Sequence, residues 1–518
     1  MGVEGEKHSS PDSKSLEPNQ ENTASSSNAA IQQGTMEECR AAEKEEVLFY
    51  VLCSKSAKGM LFVKDGGNWV LPFLREVEVS ALDNLNFDDH LLMMRRKYNL
   101  NLEMRYLYSM KDSGDDSFSY DLLHAQDESV EELPEGACFR SKDEVLNMKY
   151  PGKGNKIWKY ILKHMLEVLE GSEPDSREVY CRRGEAFATV KWMTEKILAT
   201  GNKIIGRISQ HLVQDESVIF RAKTAQGYYY LKAVPRKPWY SNEATITDCV
   251  SRLFPNIAIQ PVAIHAERRW ILTKDFGSHV KLAPEGPIRR AEITGILDVL
   301  IKIHRESQTN LDELAQSGLE CCGPLWLKNH IQSVFQDPLL QECLEKEKVE
   351  VLLAHTSFWK KLCDTLARYE VPITLVHEDP SLVNIVAPYG VMMLHDWGLS
   401  SLSVPFYDVV ILCRSVIREM AKEDPGATRK DLLSVLDTEY YLRKWEHWRP
   451  LPELKFLLRL SSYAYYLHSF VLNYKRLHHL ERVCDQLPFR QFYRRLAEKL
   501  VAVSLESVDV DAMERSMC

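Results

Sequence analysis

Apolar and polar positions divide the chain into regions of different character. Residues 1–44 are Ser, Asn, Gln, Glu and Lys with almost no large apolar groups. Such a segment cannot bury enough surface to offset chain entropy, which predicts a disordered tail. Order is predicted to begin at "EEVLFYVLCSK", a buried strand, followed by "GMLFVKD" and "GGNWVLPFL", three strands of a meander. "DDHLLMMRRKYNL" has helical spacing, and "LEMRYLYSM" and "SFSYDLLHAQ" read as further strands. "GNKIWKYILKHMLEVLEG" predicts a helix stopped by Gly171, and "SEPDSREVYCRRGE" a linker. After a helix near "FATVKWMTEKILAT" come three close strands, "KIIGRISQHLV", "SVIFRAKT" and "YYYLKAVP", the last two joined at Gln226–Gly227. Beyond about residue 287 the spacing turns helical, beginning with the amphipathic "RRAEITGILDVLIKIHRES".

Composition changes this picture little. The chain has 518 residues, 45% apolar and 27% charged, which suits two or three globular domains. A net charge of -9 argues against a general nucleic-acid surface. The 12 cysteines are dispersed without CxxC pairs, as expected of reduced thiols in a reducing compartment. The start of the chain lacks the apolar stretch of a signal peptide, and no run is long and apolar enough to span a bilayer. A cytoplasmic protein with no membrane or nucleic-acid partner is the expectation.

Two places suggest chemistry. Lys232 lies in the predicted inner strand "YYYLKAVP", where an ammonium is costly to bury without an anion. Glu243 opens the next helix, with Ser241 or Asn242 as its N-cap, and can pair with Lys232 to aim it at a phosphate. A solvated lysine on a strand fits the same pattern. The second place is "LVHEDPSLVNIVAPYGVMMLHDWGLS". Asp379 follows the apolar "ITLV", Asn384 sits where the backbone turns, and a short hairpin through Pro388 and Gly390 returns to Asp396. One carboxylate to take a hydroxyl proton, with Asn384 and Asp396 as oxygen ligands for magnesium, is what phosphoryl transfer needs. A plain β-hairpin with Asp and Asn serving its turns fits equally.

"HEDPSLVNIV" followed by "LHDWGLSSLSVPFYDVVIL" resembles the phosphotransferase family of aminoglycoside and choline kinases. The likeness extends over roughly residues 200–480, taking in "SVIFRAKTAQGYYYLKAVP", Glu243 and "RRWILTKDFG" in the expected order. It implies an α+β, bilobal protein-kinase-like fold: a small β-rich N-lobe at residues 185–280 and a helical C-lobe at 281–505, with a flexible tail at 506–518. It also implies ATP and Mg2+ as cofactors and a small-molecule hydroxyl as acceptor. By resemblance, Lys232 contacts the nucleotide phosphates and Glu243 orients it, while the backbone of Leu272, Thr273 and Lys274 receives the adenine. Asp379 becomes the base, and Asn384 and Asp396 the magnesium ligands. Asp408 and His377 brace the catalytic loop.

The chain departs from the family pattern in several places. Glu378 replaces the family's Gly; its carboxylate either converges on Asp379 or points to solvent. Pro380 follows Asp379, and His395 precedes Asp396 where Ile or Val is usual. The phosphate-covering "SQHLVQDESV" has no glycine. A catalytically degenerate binding or regulatory protein of the same fold is therefore the alternative. "KDFG" at 274–277 precedes the catalytic loop, the wrong order for a protein-kinase metal motif, and reads as the end of the adenine-binding segment.

Residues 45–172 resemble a Nudix-like domain through "GNWVLPFLREVEVS". Arg95, Arg96 and Lys97 stand where the metal-binding glutamates belong, so the unit is expected to bind a protein partner without hydrolysing anything. For the acceptor, aromatic Tyr440, Tyr441, Trp445 and Trp448 suit either a wall of the site or ordinary helix packing. The charges Arg418, Glu419, Lys422 and Glu423 are further candidates.

Overall fold

The computed structural model describes residues 45–53, 59–65, 67–75, 87–100, 104–113, 118–127, 133–148, 162, 185–214, 217–234, 242–281, 287–423, 437–480, 487–506 and 509–516. The expected tail at 1–44, the linker before residue 185 and nearly all of the helix before Gly171 lie outside these residues.

The first sheet is built from β1 (Glu45–Cys53), β2 (Met60–Asp65), β3 (Asn68–Val70), β4 (Phe73–Arg75), β5 (Met104–Ser113), β6 (Phe118–Asp127) and β7 (Ala137–Arg140). Its order is β3-β2-β1-β6-β5, with β4 also on β1 and β7 on β2. The meander expectation holds for β1 to β3. The sheet departs from a meander where β1 runs parallel to β6, from Glu45 opposite Phe118 to Cys53 opposite Gln126. A parallel neighbour needs a long crossover, and here it contains α1 (Phe87–Tyr98).

The second sheet is antiparallel, in the order β11-β12-β10-β9-β8. Its strands are β8 (Ser209–Gln214), β9 (Ser217–Thr224), β10 (Gly227–Ala233), β11 (Ala263–His265) and β12 (Trp270–Lys274). The strand expected over "KIIGRISQHLV" starts only at Ser209, and before it Ile204 makes a single bridge to Thr224. Gly227 has φ +111° at the β9–β10 turn, a backbone open to glycine. Alternate β10 residues Tyr229, Leu231 and Ala233 are buried with Met193 and Ile197 of α2 (Glu185–Ala199). Helix α3 (Glu243–Leu253) follows with Asn242 as its N-cap residue.

The remainder is mostly helical. Helix α4 (Pro287–Glu306), α5 (Pro324–Phe335), α6 (Thr356–Arg368), α7 (Phe406–Glu423), α8 (Thr438–Arg443), α9 (Leu451–Leu480) and α10 (Leu487–Leu505) share one apolar core. Among the described residues no helix is long and apolar enough to cross a membrane. Tyr441 and Trp445, candidates for an acceptor wall, are buried in that core, so packing is their role. A correction applies to residues 506–518, expected as a flexible tail. Asp509 accepts the N–H groups of Asp511 and Ala512 to cap a helix, Val510–Arg515, whose Val510 and Met513 are buried.

Two short sheets hold the segment 375–400 against this helical body. β13 (Thr374–Val376) pairs with β16 (Ser401–Ser403), and β14 (Ile385–Val386) with β15 (Met393–Leu394). Asp408, fully buried at the start of α7, fastens the loop after β13. Its carboxylate accepts the backbone N–H groups of His377 at 2.9 Å and Glu378 at 3.0 Å. It also accepts His304 Nε2 of α4 at 3.1 Å, and the far side of that ring, Nδ1, meets the Tyr441 hydroxyl at 2.8 Å. Asp408→Ala would leave two N–H groups and the imidazole facing no acceptor, at about 1–3 kcal/mol each. The expected outcome is a loss of at least about 3 kcal/mol of stability, read as a lower urea midpoint.

Candidate active site

Lys232 stands in β10 opposite Ile271 of β12. Its Nζ reaches Glu243 at 3.0 Å (Oε1) and 2.9 Å (Oε2) and Asp396 Oδ1 at 2.8 Å. Burial alone would lower the Lys232 pKa, but the two carboxylates outweigh it and raise it, holding the amine protonated. Burial pushes Glu243 up to about 7 against the pull of Lys232. Burial also disfavours the charged form of Asp396, yet the Lys232 ammonium prevails and holds it below the usual carboxylate range.

Asp379 and Asn384 form the neighbouring pair. The Asn384 amide Nδ2 donates to Asp379 Oδ2 at 2.8 Å and to the Asp379 carbonyl at 2.9 Å. The one-turn helix Leu382–Asn384 brings this about. Burial raises the Asp379 pKa, opposed by His377 and by hydrogen bonds from Ser381 and Asn384, with Asp396 adding to the rise. The two pairs meet across β14–β15, where the Asn384 carbonyl accepts the His395 N–H at 3.1 Å. Lys232, Glu243, Asp379, Asn384 and Asp396 are thus in one cluster.

Donor chemistry suits magnesium. The Asn384 NH2 is spent on Asp379, leaving its amide oxygen as acceptor, and Asp396 Oδ2 takes no part in the Lys232 pair. Glu243 and Asp396 face the ammonium and Asp379 stands near Asp396, so carboxylates outnumber the ammonium, a balance a divalent cation would redress. Among the described residues no group of three or more His, Cys, Asp and Glu could hold a metal. Two protein oxygens suit an ion that keeps waters and takes phosphate oxygens for the rest.

The departures now have physical accounts. Glu378 has φ +68°, a left-handed backbone that glycine adopts freely and that costs another residue roughly 1–2 kcal/mol. Its carboxylate neither converges on Asp379 nor reaches solvent. It is buried, accepting Ser401 Oγ at 2.6 Å and His468 Nε2 at 2.7 Å, and these bonds offset the backbone cost. Burial lowers His395 to about 4, so its ring is uncharged at neutral pH and packs 5.0 Å from Phe276 like an apolar residue. Asp275 of "KDFG" accepts the Gly277 N–H at 2.9 Å, a local turn after β12. His377 Nε2 donates to the His395 carbonyl at 2.9 Å, tying the loop to the turn after β15 that bears Asp396.

In the adenine-binding candidate, Leu272 is buried and its carbonyl already accepts the Val262 N–H at 2.6 Å. β11 stops pairing at Leu272, while Asp275 N–H turns inward to Tyr228. By antiparallel alternation the Lys274 N–H and C=O face outward, past the end of β11. His304 and His468 were not anticipated. Their signal in sequence is position, each on the apolar face of a long helix where charge is out of place.

Gly398 permits the Lys232 cluster. A Cβ there would lie 3.1 Å from Glu243 Oε2. Gly398→Ala is expected to push Glu243 off Lys232 and to cost about 1–3 kcal/mol for the displaced charged hydrogen bond, read as a lower urea midpoint.

No protein-family model matches the chain, and no curated protein does. Solved structures of similar shape include a choline/ethanolamine kinase family protein from Mesorhizobium loti, 13% identical over 63% of this chain and 98% of that one, with a TM-score of 0.39. A choline kinase from Streptococcus pneumoniae is 17% identical over 61% and 99%, TM-score 0.39. A Plasmodium vivax ethanolamine kinase is 13% identical over 70% and 92%, TM-score 0.40. With identities and TM-scores this low, activity must be argued from the chain's own residues.

Proposed function

We propose that the chain is an ATP- and magnesium-dependent phosphotransferase acting on a hydroxyl of a small molecule. The observation that carries this reading is the 2.8 Å contact of Lys232 with Asp396, 164 positions away, with Glu243 behind it. An ammonium held so firmly protonated beside a carboxylate is suited to meet phosphate oxygens.

In this reading the second sheet is the N-lobe and the helical body the C-lobe, with the nucleotide between them. The Lys274 backbone takes the adenine edge beside Thr273, while Leu272 anchors that strand. Lys232, aligned by Glu243, binds the phosphates. Asn384 and Asp396 hold magnesium, which when bound spreads the charge of the transferring group. Asp379 orients the acceptor hydroxyl and takes its proton as that oxygen bonds to the terminal phosphorus and the bond to ADP breaks. Asn384 holds the Asp379 carboxylate in position. The first sheet serves as a non-catalytic partner-binding module. Arg95 and Arg96 of α1 are exposed, and Lys97 lies over the Phe73 ring at 4.2 Å, so that helix offers bases where a hydrolase would need acids.

Thermal shift tests the reading. ATP with magnesium should raise the melting temperature of the wild type, and Asp396→Ala should lose at least tenfold in apparent nucleotide affinity. An unchanged response in that variant rejects the assignment. Asp379 must be ionised to accept a proton. Because its pKa is raised, the acid limb of turnover should lie above the ordinary carboxylate range, activity rising with pH through it. Asp379→Asn should abolish ADP release and that limb while nucleotide binding persists.

A further inference from the structure

Helix α7 faces the catalytic loop with its middle turns. Ser415 Oγ accepts the Leu382 N–H at 3.1 Å, three residues beyond Asp379. Beside it the half-buried Arg414 lays its guanidinium over Tyr465 at 5.5 Å and Tyr466 at 5.1 Å, both from α9. Tyr465 lies one turn before His468, the residue that grips Glu378 next to Asp379. Burial above all pushes the Tyr465 hydroxyl up to about 12; Arg414 draws it down while Glu378 and Asp379 push it higher. One phenol therefore feels both the Arg414 charge and the Asp379 charge.

A guanidinium taken partly out of water normally ends on a carboxylate. Among the described residues Arg414 has its two rings and no hydrogen bond or ion pair. Arg418, four residues on and exposed, has none either. Two like charges at that spacing repel along a helix. Of the α7 carboxylates whose side chains the structure describes, Asp408 is committed to the loop brace and Glu419 to Lys422 at 2.9 Å. The result is a cation on an aromatic bed with a second cation one turn further on, neither meeting a counter-ion among the described residues, near the loop that carries Asp379.

We propose that the acceptor is an anion: a small hydroxyl compound bearing a carboxylate or phosphate, its charge held by Arg414 and Arg418 and its hydroxyl presented to Asp379. This rests on the phosphotransferase reading and names its substrate class. The planar guanidinium can grip either anion through paired N–H groups. The same residue excludes cationic acceptors. Arg414 already covers the ring faces a quaternary ammonium would need, and its charge repels one.

Thermal shift of the full chain with ADP and magnesium, titrated with glycerate, glycerol 3-phosphate, glycerol or choline, tests this. At least one of the two anions should stabilise the protein, and which one does tells carboxylate from phosphate; glycerol and choline should not. Arg414→Gln should raise the concentration needed at least tenfold. Arg414→Lys, which keeps charge and stem but loses the planar fork, should raise it less, with circular dichroism confirming that both variants fold. Silence toward both anions, a choline response, or an anion response untouched in Arg414→Gln overturns the proposal. A chain that answers the anion and ignores ADP overturns the phosphotransferase reading alone.

Discussion

A largely buried ammonium is costly without anions around it, and this constraint organises the candidate site. Lys232 comes from the second sheet, Glu243 from the helix behind it, and Asp396 from the hairpin of the helical body. No two are close in sequence except Lys232 and Glu243. Their mutual need joins sheet, helix and hairpin at one point. Glu243, deeper and more costly to ionise, aligns the lysine. Asp396 keeps one oxygen outside the pair.

The hairpin must in turn be held rigidly, because both Glu378 and Asp396 sit in the left-handed region at φ +68°. Non-glycine residues stay there only when the surroundings over-determine them. At Glu378 the surroundings are Asp408 on its N–H and Ser401 with His468 on its carboxylate. At Asp396 they are Lys232 on the side chain and the His377–His395 bond just before it. Two of the left-handed non-glycine residues thus stand where the chemistry is proposed, and the contacts around them supply the compensation.

Much of this was legible in the chain. Apolar "ITLV" before His377 and the turn residues at Pro388 and Gly390 prescribe a strand and a hairpin from local chemistry alone, and the aromatic-Asp pair at Tyr407 and Asp408 was legible only through the family resemblance. β9, β10 and α3 follow the same logic of period and cap. Less legible were the parallel pairing of β1 with β6 and the helix at Val510–Arg515. Both depend on contacts between segments far apart in sequence, which periodicity does not encode.

By itself the sequence offered Lys232, Asp379, Asn384 and Asp396 as candidates, through residue type, spacing and a resemblance to a phosphotransferase family, while a solvated lysine and a plain hairpin fitted the local pattern equally. The tertiary structure alone decided where the ambiguous groups go. It turned Glu378 inward to His468, made Tyr441 a core residue behind Asp408, and set Arg414 on two tyrosines with no carboxylate among the described residues. The reason is physical: burial, and the partners available at a given depth, are properties of the packed body, and a polar side chain's role is chosen by what it meets there.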